Sequence, residues 1–215
     1  MNGTFGKITY SNDVIAIFII GINHNASREG ENLIHFEVGK NISTGNATSF
    51  TDTDYPLSGD SHSFRMNTAD DNTCGWVDSM LRLKLGSDDP SPRLMSLSSI
   101  LPDELVAVMK SAHKYSFATG SMFESDDYVS IFSEKEVLGS ITSGPKTESF
   151  YQEQYEYYSS GNSSIHYTMD GEAARCWTRS VYGDNYKMFT FIDYGGQSNG
   201  HNATRSLAVS PIIFV

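Results

Sequence analysis

Basic side chains are scarce: 15 Lys and Arg stand against 26 Asp and Glu, a formal net charge of −11 at pH 7. No Lys/Arg block is present to displace counterions from phosphates or to meet an anionic lipid headgroup layer. That excludes nucleic acid as a partner and docking on an acidic membrane. Long apolar runs are also lacking. The longest, residues 14–20, falls far short of the roughly 20 residues that cross a bilayer, so no membrane insertion is expected. No basic stretch precedes it, and it begins too early for the apolar part of a secretory leader, so the chain is expected to work without one. Two cysteines, Cys74 and Cys176, build no disulfide framework; one bridge between them is the alternative to the expected pair of buried free thiols.

Catalytic signatures are missing as well. The sequence has no Gly-x-Ser-x-Gly elbow, no His-Glu-x-x-His, no phosphate loop and no dinucleotide fingerprint. His24, His35, His62, His113, His166 and His201 are scattered, and no Cys/His spacing suits zinc. The acidic pairs Asp70-Asp71, Asp88-Asp89 and Asp126-Asp127 offer oxygen atoms that calcium accepts. None has the spacing of a calcium loop, so they read as solvated loops or helix caps, and the expectation is no metal and no cofactor. Cys176, between Arg175 and Trp177, has a cation beside its thiol but no identifiable histidine partner, and it reads as inert.

What is present is a strand-rich pattern. Residues 14–20 are continuous and β-branched, as in a strand covered on both faces. Residues 33–38 alternate, with Leu33, His35 and Glu37 on one side and Ile34, Phe36 and Val38 on the other, which predicts a half-buried strand paired with the first. Residues 41–71 are polar and read as loop. Helical spacing appears around Trp76 to Leu85. Pro102 to Lys110 shows a proline for the first helical position, acids at the start and a lysine at the end. Ser133 and Glu136 form a capping box closed by Gly139. Strand-like pieces follow at residues 176–179, 187–192 and 206–215, and Pro211 predicts that the last is an edge or bulged strand. These features predict an α+β fold, with residues 1–12 as an N-terminal segment and residues 13–215 as one domain.

Between positions 182 and 202 lie Tyr182, Asp184, Asn185, Tyr186, Tyr194, Gln197, Asn199, His201 and Asn202, interleaved with Gly183, Gly195, Gly196 and Gly200. Tyrosine offers a large, stiff, amphipathic face, and Asn with Gly offers adaptable hydrogen bonding; paratopes use that chemistry. These nine residues are the candidate ligand-binding set, and no catalytic residue is assigned.

Trp177-Thr178-Arg179-Ser180, the aromatic strand at 188–193 and the closing Ser206-Leu207-Ala208-Val209-Ser210-Pro211-Ile212-Ile213 resemble a family of domains found in gut bacteria and their phages. Ile20-Gly21-Ile22-Asn23-His24, Gly75-Trp76 with Ser79 and Arg82, Leu101-Pro102 with Glu104-Leu105, and Ile131-Phe132-Ser133 with Glu136-Val137-Leu138-Gly139 match in the same order. Val181 and Ser210 depart from the usual proline and arginine. The resemblance implies a C-type-lectin-like domain: small antiparallel sheets, two to three short helices and long irregular loops, as in formylglycine-generating enzymes and retroelement-diversified phage tropism proteins. It implies that Trp76, Trp177, Phe189, Arg179 and Ser180 are structural, with a buried guanidinium fixing loop carbonyls, and that residues 182–202 form a display surface. It also implies a non-enzymatic, oligomeric phage virion protein that holds a host cell-surface glycan or protein alongside other virion proteins. A bacterial cell-surface recognition domain and a carbohydrate hydrolase with paired carboxylates are the alternatives.

Overall fold

The computed structural model describes residues 4–10, 13–41, 44–45, 47–50, 64–88, 101–168 and 170–215; His62, Asp89 and the middle of the polar run, 51–63, lie outside them. The apolar stretch 14–20 lies within β2 (Asp13–Ile22), antiparallel to β3 (Ile34–Asn41). β1 (Thr4–Tyr10), in the segment expected to precede the domain, pairs with β2 as the edge of the sheet. The link from β2 to β3 contains one helical turn, α1 (Ala26–Glu29), entered through Asn23 and Asn25 in left-handed backbone that asparagine tolerates.

Helices are short. Ser79 caps α2 (Met80–Leu85) by accepting from the Arg82 amide, and Trp76 stands in the turn before it. α3 (Asp103–Val106) stops well before Lys110, because the Lys110 amide donates to the Phe214 carbonyl, which draws the chain toward the sheet. β4 (Ala112–Ala118) and β5 (Ser121–Asp127), which the sequence reading passed over, form a hairpin closed by Thr119-Gly120. Both turn residues have positive φ, the geometry of a type I′ hairpin. β6 (Val129–Ile131) leads into α4 (Glu134–Leu138), which has the capping box and left-handed Gly139 that its sequence predicts. A 3-10 helix (Lys146–Phe150) and α5 (Glu156–Ser159) follow.

β7 (His166–Tyr167) and β8 (Ala173–Ala174) make a small pair, and β9 (Cys176–Val181), β10 (Met188–Ile192) and β11 (Ser198–Asn202) form an antiparallel sheet in the order β11-β10-β9. β12 (Pro211–Phe214) inserts between β3 and β6, completing the order β1-β2-β3-β12-β6. The expectation of an edge or bulged strand fails here: β12 is interior. Pro211 is its first residue, a place where a missing N–H is tolerated.

The five-stranded sheet is covered on both faces. Ile17, Phe36, Val38 and Ile213 pack with Trp76, Leu81, Trp177, Phe189 and Val209 on one side. Phe18, Ile20, Ile212 and Phe214 pack with Phe132, Tyr155 and Tyr158 on the other. β3 is therefore not half-buried: His35 and Glu37 are as inaccessible as Phe36 and Val38. Alternation along β3 separates two chemistries, not core from solvent, because residues 155–158 close over its polar face. The result is a mixed α/β fold of small antiparallel sheets and few short helices.

Candidate functional site

The nine candidate residues do not form one continuous grip. β10, whose Phe189, Thr190, Phe191 and Ile192 are buried, divides them into two ends. At the first end, the chain turns between β9 and β10: the Asn185 amide donates to the Tyr182 carbonyl, and the Tyr182 amide to Met188. Asn72, buried and absent from the candidate set, braces this loop from outside. Its amide donates to the Tyr186 carbonyl at 2.9 Å, and its side-chain amide donates to the carbonyls of Asn185 and Met188. Held this way, Tyr186 stands 59% exposed beside exposed Asp184 and Asn185. Residues 67–69 and 71–75 line an open hollow of about 320 Å³ next to it with Asp78, Met80 and Leu83. The β4–β5 tip, Phe117 to Gly120, meets the loop on another side.

At the second end, the turn after β10 is built on Asp193, whose Oδ1 accepts from the amides of Gly195 and Gln197 at 2.8 and 3.0 Å. Tyr194 at its tip is 55% exposed, with the Arg175 guanidinium 4.9 Å from its ring centre and 5.6 Å from that of Phe191. Gln197 and Asn199 are exposed here too.

Three candidates are committed elsewhere. The Tyr182 ring lies on Gly200 so closely that a Cβ there would come within 2.2 Å of it. The Asn202 side chain donates to Asp70, whose other oxygen accepts from the Thr204 amide and hydroxyl; those bonds hold the Asp70 carboxyl below its usual range. His201 is half-buried with Nδ1 accepting from the Asn202 amide, and burial followed by Arg205 and Arg175 lowers its pKa. The residues left to meet a ligand are Asp184, Asn185, Tyr186, Tyr194, Gln197 and Asn199.

A second concentration of polar chemistry lies deep in the fold. Lys114 on β4 is buried, and its ammonium contacts Glu29 Oε2, Glu136 Oε1 at 3.2 Å and the Tyr155 hydroxyl at 3.1 Å. Three donors meet three acceptors. Arg179 adds a two-pronged contact to Glu136 and donates to the carbonyls of Ile131 and Tyr115. Burial works against the Glu136 carboxylate, but Arg179 and Lys114 outweigh it and lower its pKa. Burial wins at Glu29, whose pKa rises despite Lys114, and at His35, which is pushed down to about 2 and stays neutral.

His24, Glu29 and Glu136 bring potential ligand atoms within 4.8 Å of one another. The residues there fit an ammonium and not a metal ion: Lys114 already bridges the two carboxylates, and both Glu136 oxygens are taken by Arg179. Asp127, one of the acids weighed for calcium, is buried and accepts from Trp76 Nε1 at 2.6 Å and Arg82 Nε at 2.8 Å.

Glu37 collects the Tyr158 hydroxyl, His166 Nε2 and the Ser210 hydroxyl at 2.7, 2.8 and 2.6 Å. Cys176, buried close by and free, has its thiol pKa raised by burial and then by Glu37, the reverse of what a nucleophile needs. Cys74, also free, is only partly buried. Trp177 Nε1 donates to the Phe64 carbonyl, and the Ser180 hydroxyl to Glu148 while accepting from the Glu134 amide.

Sequence reasoning overlooked Asn72, and it weighed Asp70 only as a calcium ligand. Their only trace was an Asp- and Asn-rich run, and their partners lie more than 110 positions away. Compared with protein-family models, curated proteins and solved structures, the chain matches none.

Proposed function

We propose that this protein is a non-enzymatic binding module of C-type-lectin-like fold, acting in a phage virion and holding a host cell-surface glycan or protein. The observation that carries this reading is the pair of exposed tyrosines, Tyr186 and Tyr194, each on a loop stiffened by its own braces. Stacking on a stiff aromatic with amide and carboxylate donors and acceptors beside it suits a sugar ring or a peptide, and the ordering cost has been met by the fold. The pairing of β12 with the early strand β3, beside a second small sheet carrying the display loops, supports the lectin-like reading. The virion setting rests on the family resemblance. Weak single contacts call for a symmetric oligomer that engages several copies of the ligand at once. Of the acids a hydrolase would need, Glu29, Glu37, Glu136 and Asp127 are spent on internal bonds, which favours binding over cleavage.

The test is retention of the protein on a glycan array and on whole gut-bacterial cells. Tyr186→Ala with Asn185→Ala is expected to cut retention at least tenfold with little change in Tm, and Tyr194→Ala to cut it less. Tyr182→Ala is a poor probe, since that ring packs on Gly200. Undiminished retention by the combined variant of Asn185, Tyr186 and Tyr194 sinks the surface assignment, and sugar released from a bacterial polysaccharide sinks the non-enzymatic one.

A further inference from the structure

The 3-10 helix Lys146–Phe150 has one buried side chain, and it is a carboxylic acid: Glu148. Phe150, the large apolar residue of the same element, points to solvent at 76% exposure. The helix is thus anchored through a group whose charge depends on pH. One Glu148 oxygen accepts from the Ser180 hydroxyl at 2.7 Å and from Gln152 Nε2 at 2.6 Å, while the other, Oε2, is buried without a partner among the described residues. A neutral acid tolerates an unpartnered oxygen; a carboxylate there is a poorly solvated charge.

Around it stand Arg179 on β9, Glu134, Lys135 and Glu136 on α4, and Lys114 and Tyr115 on β4. Arg179 is engaged by Glu136, and Lys114 by Glu29 and Glu136, so neither is free to neutralise Glu148. Burial pushes the Glu148 carboxyl from 4.5 up to about 7, against the hydrogen bonds from Ser180 and Gln152 and the charge of Arg179. The far end of the anchor is Ser180, two residues before Tyr182, where the display loop begins. Gly144, on the strap that leads into the helix, lies against the Val181 carbonyl.

We infer that Glu148 is a proton-controlled latch: protonated, it seats the 3-10 helix against β9 and the root of loop 182–187; ionised, it lets both loosen. As regulation of ligand binding this rests on the function proposed above, but the latch itself does not. The sign follows from linkage. A carboxyl with a raised folded-state pKa gives stability that is present in full below 4.5 and lost as pH rises to about 7.

The experiment is amide hydrogen exchange by mass spectrometry on the whole protein, corrected for intrinsic rates, from pH 4.5 to 8.5. In the wild type the opening constant of residues 146–151 and 180–187 is expected to rise about tenfold per pH unit and level off above pH 7. Glu148→Gln, which keeps an acceptor for Ser180 and carries no charge, is expected to flatten that rise. His113→Gln is the control, a second titratable group on the β4–β5 hairpin whose pKa is raised because Asp126 and Glu124 outweigh burial; it is expected to leave the pH dependence at residues 146–151 and 180–187 unchanged. Equal pH dependence in wild type and Glu148→Gln overturns the latch. If the variant does not fold, carbon-13 NMR of the wild-type Glu148 carboxyl decides: a midpoint near 4.5 overturns it and one near 7 supports it. Pronounced pH-dependent opening with no retention on any array or cell leaves the latch standing and removes the binding function.

Discussion

The charged interior and the display ends both rest on polar side chains, to opposite effect. Beneath residues 155–158, Glu29, Lys114, Glu136 and Arg179 are turned on one another and Glu37 on Tyr158, His166 and Ser210, and their worth is internal cohesion. At the display ends, Asn72 and Asp193 spend their hydrogen bonds on backbone, and Tyr186 and Tyr194 are left facing water. Burial is what separates the two. A charge in the interior needs a partner or it costs several kcal/mol, whereas an exposed side chain keeps water as its partner and remains available to a ligand.

That contrast can be tested in order of expected effect. Arg179→Met strips Glu136 of its two-pronged partner and leaves a buried carboxylate with the Lys114 ammonium and the Ser133 amide; urea unfolding should show a loss of about 3–5 kcal/mol. Lysine at 179 should restore little of it, because a point charge cannot reproduce the fork. Asn72→Ala removes the two side-chain bonds of the brace and keeps its backbone bond to Tyr186, and a loss of about 1–3 kcal/mol is expected, with faster hydrogen exchange confined to residues 182–188. Gly200→Ala drives a methyl into the Tyr182 ring; overpacking of about 1–3 kcal/mol should appear as a lowered Tm and a shifted Tyr182 resonance. Tyr186→Ala should leave stability within about 0.5 kcal/mol of wild type. A large loss there would mean that the display end is part of the core and would dissolve the contrast.

Much of the frame was legible in the residues. The capping box at Ser133 and Glu136 with its closing Gly139, the strand at 14–20 and the antiparallel partnership of β2 and β3 follow from local chemistry. Trp76, Trp177, Arg179 and Ser180 are buried and bonded. Other elements depended on remote partners. Lys114, Ser116 and Ser125 make β4 and β5 read as polar and exposed, yet all three are buried, with Lys114 held by Glu29, 85 positions away. Thr119-Gly120 was the one local hint of that hairpin. Pro211 signals an edge by its own covalent structure, and only the insertion of β12 between β3 and β6 shows that its first position is exempt.

By itself, the sequence determined that residues 182–202 would be rich in tyrosine, amide and glycine, and that the chain would carry a formal net charge of −11. Those are properties of composition and short-range pattern, which need no partner to exist. Tertiary structure alone decided that β10 would split the candidate surface in two, that Tyr182 and Asn202 would be withdrawn from it by Gly200 and Asp70, and that His35 and Glu37 would end inside. The reason is physical: exposure and charge state belong to a side chain's surroundings, and those are supplied by segments far away along the chain.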